Sequence, residues 1–392
     1  MSNKQGFATV AAHADGHDKP MHSHTWPIFQ TSSFVFDSPE HGARLFAGEE
    51  SGHIYSRLGN PTVEAFERVM SQLEEGDRTC AFSSGMATIM HCTMPFLKSG
   101  DDMICGDTLY GCTVDLFQEH FPHYNISVTV VDTSDIAQIQ AALKPNTKLI
   151  FLETPANPTN KITSLKKVSE LAHKHGAIVA VDATFASPYF IKPLALGADI
   201  SMHSLTKYVN GHGDVVGGCL TLKNPDLIQK VLKFRKVHGG ILAPLDAFLV
   251  LRGVRTLACR MERIQATGRS VATYLRNHPK ITRVLYPGFE DAPGHEIVKD
   301  EMTGVGGTFS FIMKGGYDAA KKLLEEVKIC TVAVSLGSFD TLIEHPASMT
   351  HACVSEELMA KQGLTRDLVR ISVGLEDDKD IIQDLAQALD KL

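Results

Sequence analysis

No stretch of the 392-residue chain is apolar for long enough to cross a bilayer. The longest runs, such as residues 177–181, fall far short of the roughly twenty residues required. Eight cysteines stand apart with no CxxC pair, so neither a disulfide framework nor a zinc ribbon is indicated. No charge block exists either: 38 basic residues against 45 acidic ones leave a formal net charge of -7, mixed along the chain. That balance gives no reason to expect nucleic acid or an anionic membrane as a partner. Repeats and low-complexity tracts are absent, and no GxGxxG follows the first strand-like runs. The opening residues, Met1-Ser-Asn-Lys-Gln-Gly, lack the apolar core of a secretory signal, and a reducing cytoplasm is the expected compartment.

What is present suits a globular chain of two domains, with 43% hydrophobic and 21% charged residues. Residues 1–60 read as an arm with little periodicity. Its histidines His13, His17, His22 and His24 lack a supporting cysteine or carboxylate cluster, so no metal is expected there. Residues 61–250 alternate between helical and strand-like stretches. Val63, Phe66, Val69, Met70 and Leu73 recur at helical spacing over 61–74. Short apolar runs at 102–105, 126–131, 148–152 and 177–181 read as strands, with helices predicted at 135–143 and 165–174. Strands apolar on both faces and separated by helices predict a mainly parallel sheet with helices on both faces. In such sheets a site sits at the carboxyl ends of the strands. One long helix is predicted over 246–275. Residues 251–392 read as a smaller α+β domain, with a strand at 307–313 and helices at 319–327 and 380–389.

The stretch Asp199–Gly213 carries the strongest chemical signal. Lys207 follows an apolar run, with Ser204 and Thr206 just before it. The amine can form a Schiff base with an aldehyde while the hydroxyls bind a phosphate; an exposed loop lysine beside a Ser/Thr turn is the plainer reading. Asp182 ends the strand at 177–181, where a carboxylate can hold a pyridine nitrogen protonated or simply cap a turn. Ser83-Ser84-Gly85-Met86 opens a helix, and free N–H groups at a helix start bind phosphate. Tyr110 is placed to stack on a planar ring, and Asn157, in Glu153-Thr-Pro-Ala-Asn157-Pro, to bond a ring oxygen. Tyr55-Ser56-Arg57 suits phosphate recognition or ordinary surface. Arg370 lies inside an apolar run, which asks for an anion: a substrate carboxylate or a structural ion pair.

Taken in order, these residues resemble the Cys/Met-metabolism family of pyridoxal-phosphate enzymes. The match runs from Tyr-Ser-Arg-Leu-Gly-Asn-Pro-Thr at 55–62, through Ser-Leu-Thr-Lys-Tyr at 204–208 and Ser-Leu-Gly at 335–337, to Arg-Ile-Ser-Val-Gly-Leu-Glu at 370–376. The resemblance implies the α/β fold of type I pyridoxal-phosphate enzymes and pyridoxal 5'-phosphate as cofactor. It places the Schiff base on Lys207, the pyridinium partner on Asp182, and phosphate contacts on Gly85, Met86, Ser204 and Thr206. Tyr55 and Arg57, flanking Ser56, would reach the phosphate of a neighbouring subunit, which implies a homotetramer built as a dimer of dimers. Tyr110 would stack on the ring. A small amino-acid substrate would rest its carboxylate on Arg370, helped by Ser335 and Asn157.

Cys112, two residues after Tyr110, and the run His345-Pro-Ala-Ser-Met-Thr-His351 resemble the methionine-cleaving branch of the family. A small buried hydrophobe is the plainer reading of Cys112. That branch implies carbon–sulfur lyase chemistry, with Lys207, Tyr110 and Cys112 as catalytic residues and the Tyr110 phenol made more acidic by cations such as Arg57. Two departures bear on substrate preference. The family's Asp-Asn-Thr is here Asp182-Ala183-Thr184, and a Lys-Asp pair is not evident around Lys236. A sulfur transferase of the same family remains open. The parallel sheet alone would also allow a nucleotide-binding oxidoreductase or a catalytically silent binding protein.

Overall fold

The computed structural model describes residues 5–16, 19–350, 359 and 363–392. Of the residues read above, 1–4, His17 and His351 lie outside that set.

Seven strands build the larger sheet: β1 (Arg78–Phe82), β2 (Asp102–Gly106), β3 (Ser127–Val131), β4 (Thr147–Glu153), β5 (Ile178–Asp182), β6 (Ile200–Ser204) and β7 (Gly218–Leu222). Their order is β1-β7-β6-β5-β4-β2-β3. Pairs among β6, β5, β4, β2 and β3 are parallel, and β7 runs antiparallel to both its neighbours. The predicted mainly parallel sheet is therefore present, with one reversed strand. β5, Ile-Val-Ala-Val-Asp, is buried beyond its first residue because helices cover both faces.

Local chemistry sets the helix ends. Asn60 accepts the Thr62 amide at 3.0 Å, and Pro61 takes the first helical position, where no N–H is needed. The helix Pro61–Leu73 then buries Val63, Phe66, Val69, Met70 and Leu73, the set read from spacing. Gly176, at φ +82°, ends the helix Leu165–His175 in the left-handed conformation that glycine adopts without strain.

The single helix predicted over 246–275 is two, Pro244–Val254 and Leu257–Arg276. The break has a visible cause. Gly253 packs so closely that a Cβ there would lie 2.3 Å from the Asn210 carbonyl oxygen. Arg260, almost fully buried, donates to the Gly253 carbonyl at 2.9 Å and to the Tyr208 carbonyl at 2.7 Å. One guanidinium thus joins the Thr256 amide and hydroxyl on the Gly253 carbonyl and ties the break to the segment after Lys207.

The smaller sheet has five strands: β8 (Ile281–Leu285), β9 (Thr308–Met313), β10 (Thr331–Val332), β11 (Leu342–Glu344) and β12 (Leu368–Ser372), ordered β10-β11-β12-β9-β8. Phe309, Phe311, Ile371, Leu385 and Leu389 fill its core. The helix Leu257–Arg276 serves both cores: Met261 and Ile264 enter the larger, Val271 and Leu275 the smaller. Among the described residues, no helix is long and apolar enough to cross a membrane.

Candidate active site

The carboxyl ends of β4, β5 and β6 carry Glu153, Asp182 and Ser204. Asp182 is buried. Its Oδ1 accepts the Thr184 amide at 3.0 Å and the Thr184 hydroxyl at 2.5 Å, and no described hydrogen bond reaches Oδ2. Burial pushes this carboxyl up, and the two Thr184 bonds oppose the shift. A buried carboxylate oxygen left open in this way suits a protonated ring nitrogen. Ala183, one of the two departures from the family pattern, packs fully buried in the larger hydrophobic core, so Thr184 is the polar group that serves Asp182.

The helix Gly85–Thr93 begins beside Ser204. Ser84 accepts the Ala87 amide at 3.0 Å, leaving the N–H groups of Gly85 and Met86 for an anion. A Cβ at Gly85 would lie 3.2 Å from the Ser204 hydroxyl, so the missing side chain keeps this cradle open. Thr206 holds its hydroxyl 3.1 Å from the Gly217 amide.

Lys207 is largely buried, and its amine donates to the Ser335 hydroxyl at 2.7 Å. Burial lowers its pKa to about 8; the neighbouring Arg370 charge acts in the same direction and Glu344 opposes it. Roughly a tenth of the amine is therefore neutral at pH 7, against far less for an ordinary lysine. Such an amine is poised both to bond an aldehyde and to take up a proton.

Arg370 sits in mid-strand on β12, opposite Glu344 on β11 and Ser310 on β9. Nη1 meets Glu344 Oε1 at 2.9 Å and Asn157 Oδ1 at 3.0 Å, and Nη2 donates to the Ser335 carbonyl at 2.6 Å. Both readings of Arg370 thus meet in one residue. The ion pair exists, on Nη1 alone, and no described hydrogen bond or ion pair reaches Nε, which leaves that donor for a carboxylate. Ser335 itself holds φ +90°, a strained backbone for serine, between Lys207 and Arg370.

Tyr110 is partly exposed, its hydroxyl 3.5 Å from the Cys112 sulfur, and its amide donates to Glu153 Oε2 at 3.1 Å. The expectation of an acidified phenol is corrected: the Cys112 contact and burial raise its pKa to about 12. Within one copy of the chain Arg57 donates to the Lys236 carbonyl and lies 5.6 Å over the Tyr55 ring, and it is not among the causes of this shift. Cys112 is exposed, not a small buried hydrophobe. Ser56 spends its hydroxyl inside the arm, on the Thr31 carbonyl and the Asn60 amide. Among the described residues no hydrogen bond or ion pair joins Tyr55, Ser56 or Arg57 to Lys207, Asp182 or the 83–86 turn. His345, read as a branch marker, is buried next to Glu344 in sequence and spends its ring on Ser348 at 2.7 Å and the Arg366 carbonyl at 2.8 Å.

Three acidic groups escaped the sequence reading. Glu153 pairs in register with Asp182, Glu344 with Arg370, and the fully buried Glu74 bonds the fully buried His203. Only Glu153 left a sequence signal, a carboxylate at a strand end; the other two depend on pairing across the sheet or between elements.

The donor set fits pyridoxal phosphate: an amine, an open carboxylate oxygen, an anion cradle and a ring-sized phenol lie along one row of strand ends. Comparison with known proteins agrees. Residues 8–390 match the family model described as Cys/Met metabolism PLP-dependent enzyme. The chain is 47% identical over its whole length, and the relative's, to an L-methionine gamma-lyase of Fusobacterium nucleatum subsp. polymorphum. It is 44% identical to an L-methionine gamma-lyase of Porphyromonas gingivalis, over 99% of this chain and 98% of the relative. The crystal structure of cystathionine gamma-lyase from Lactobacillus plantarum complexed with L-serine superposes with a TM-score of 0.93 at 36% identity, covering 98% of this chain and 99% of that one. With donor set, fold and full-length similarity in agreement, the chain belongs to the Cys/Met metabolism enzymes that depend on pyridoxal phosphate.

Proposed function

We propose that the chain cleaves L-methionine, with water, to methanethiol, 2-oxobutanoate and ammonia by α,γ-elimination. The observation that carries the lyase reading is the meeting of Lys207 and Tyr110, both just past strand ends of the larger sheet, with Arg370 of the smaller sheet, whose charge acts on both. The choice of methionine rests on the full-length relatives named for it and on the Tyr110–Cys112 contact. Homocysteine and cysteine are further substrates on this reading.

Pyridoxal phosphate, when bound, supplies the electron sink for charge released at the substrate carbons. Asp182 Oδ2 would hold a proton on the pyridine nitrogen. Gly85 and Met86 amides, with the Ser204 and Thr206 hydroxyls, would hold the phosphate, and Asn157 would bond the ring oxygen. Arg370 orients the substrate carboxylate, beside Ser335. Lys207 Nζ takes the Cα proton, for which its lowered basicity leaves a neutral amine available. Loss of a Cβ proton then supplies the electron pair for a Cβ–Cγ double bond as the Cγ–S bond breaks, and the Tyr110 hydroxyl gives its proton to the departing sulfur. A phenol with a pKa near 12 carries that proton throughout the neutral range, as a general acid must. Cys112 keeps the phenol in place from the solvent side.

The arm meets a second copy of the chain on this reading. Tyr55, Val216, Val237 and Leu245 expose apolar surface on this chain, and Val237 adjoins the Arg57–Lys236 contact. Tyr55, Ser56 and Arg57 then reach the neighbour's phosphate, and two such dimers form a cytoplasmic homotetramer. The chain divides into the arm at 1–60, a cofactor domain at 61–250 and a second domain at 251–392.

The test is steady-state release of 2-oxobutanoate and methanethiol from L-methionine, with L-cystathionine in parallel. Thiol release in step with the keto acid is the expected result. Turnover of cystathionine alone would move the enzyme to the neighbouring lyase, and sulfide transfer to an acylated homoserine would move it to the transferases.

A further inference from the structure

Glu153 takes no part in the steps above, yet it is almost fully buried at the end of β4. β4 lies between β2, whose following loop carries Tyr110, and β5, which ends in Asp182. Each oxygen of the carboxyl is used. Oε1 accepts the Asn157 amide at 2.9 Å, and Oε2 accepts the Tyr110 amide at 3.1 Å. Tyr110 and Asn157 stand on two different loops, so a single side chain ties both to one strand end. Burial and the adjacent Asp182 charge push this carboxyl well up. The clamp works in either protonation state, because each oxygen keeps a lone pair for an N–H donor.

We propose that Glu153 is a positioning residue that sets the spacing between the Tyr110 phenol and the Asn157 amide, and with it the slot for the cofactor ring. The inference rests on pyridoxal phosphate as cofactor and is independent of methionine as substrate. Two buried amides held by one carboxyl cannot drift separately, so the stacking ring and the polar amide move as a unit.

The experiment is equilibrium titration of the full-length apo chain with pyridoxal phosphate, alone and in a double-mutant cycle. Glu153→Gln keeps one acceptor oxygen and turns an NH2 group toward the other amide. Expected is cofactor binding about tenfold weaker, because the Tyr110 ring and Asn157 are no longer held at the spacing of the ring slot. In a Tyr110→Ala background the same change weakens binding by no more than about threefold: the backbone amide at 110 remains, but the ring that the clamp positions is gone. Thermal unfolding of the cofactor-free Glu153→Gln chain stays within about 3 °C of the parent. Glu153→Asp keeps both acceptors and falls between parent and Gln, and it replaces the Gln variant in the cycle should that one not fold. An equal factor in both backgrounds, an unchanged affinity, or a cofactor-free chain destabilised as much as the loaded one overturns the proposal. Failure of the parental chain to bind pyridoxal phosphate would instead refute the cofactor.

Discussion

Two cross-strand pairs frame the site from opposite sides, and they differ in sign. In the larger sheet Glu153 and Asp182 stand side by side at parallel strand ends, two carboxyls whose burial raises both. In the smaller sheet Glu344 and Arg370 stand opposite each other on antiparallel strands, anion against cation. Two buried carboxyls are incomplete without a proton or an added cation, and the open Oδ2 of Asp182 marks where one is received. The opposite-charge pair balances its own charge and holds the guanidinium in place. On the proposed function, the larger sheet receives the cofactor and the smaller one offers its cation to the substrate.

Lys207 stands between these pairs, and removing it tests both at once. Lys207→Ala is expected to lower kcat by at least about 10^4-fold, since holding the cofactor and moving the proton share one amine. Single-turnover keto-acid release measures it. The carboxyl side comes next: Asp182→Asn removes the fixed negative charge beside Glu153 and should lower kcat by about 10^2- to 10^3-fold. An unchanged kcat would mean that the like-charged pair is merely structural. On the opposite side, Arg370→Lys keeps the charge for Glu344 but loses the planar fork. The expected effect is about a 100-fold fall in kcat/KM, carried mainly by KM. A loss residing in kcat alone would break the division of labour between the two pairs.

The smallest effect is one of pH. Only neutral Lys207 captures the cofactor, and its pKa is lowered to about 8. Recombination of cofactor with the apo chain should therefore speed up about tenfold per pH unit below that point and level off above it. Stopped-flow absorbance from about pH 6 to about pH 9 reads the curve. A rate still climbing at the upper end would mean that Arg370 and burial do not depress the amine.

Four strands of the larger sheet, β2 to β5, were legible as apolar runs, most clearly where both faces are buried, as over Ile178–Val181; the reversed β7 was not read. Helix Pro61–Leu73 was legible for a similar reason, since its cap and its buried face are both written locally. The helix break near Arg255 was not, because the close approach of Gly253 to Asn210 and the reach of Arg260 belong to packing. At the site, Lys207, Asp182 and the 83–86 turn were readable as residue types at strand and helix ends. The raised Tyr110 phenol was not, since the Cys112 contact and the burial that raise it arise only when the chain is folded.

By itself the sequence determined which groups are available: one lysine after two hydroxyls, a carboxylate at a strand end, a glycine at a helix start and an arginine inside an apolar run. It determined the alternation of elements as well, because period and capping are local properties of the chain. Only the tertiary structure decided how those groups are charged and aimed. Burial lowered the lysine and raised the carboxyls, strand register set Glu153 beside Asp182 and Glu344 against Arg370, and neither effect has a counterpart in residues read one after another. A pKa and a free donor depend on what lies across the fold, and contacts across the fold form only when the chain closes on itself.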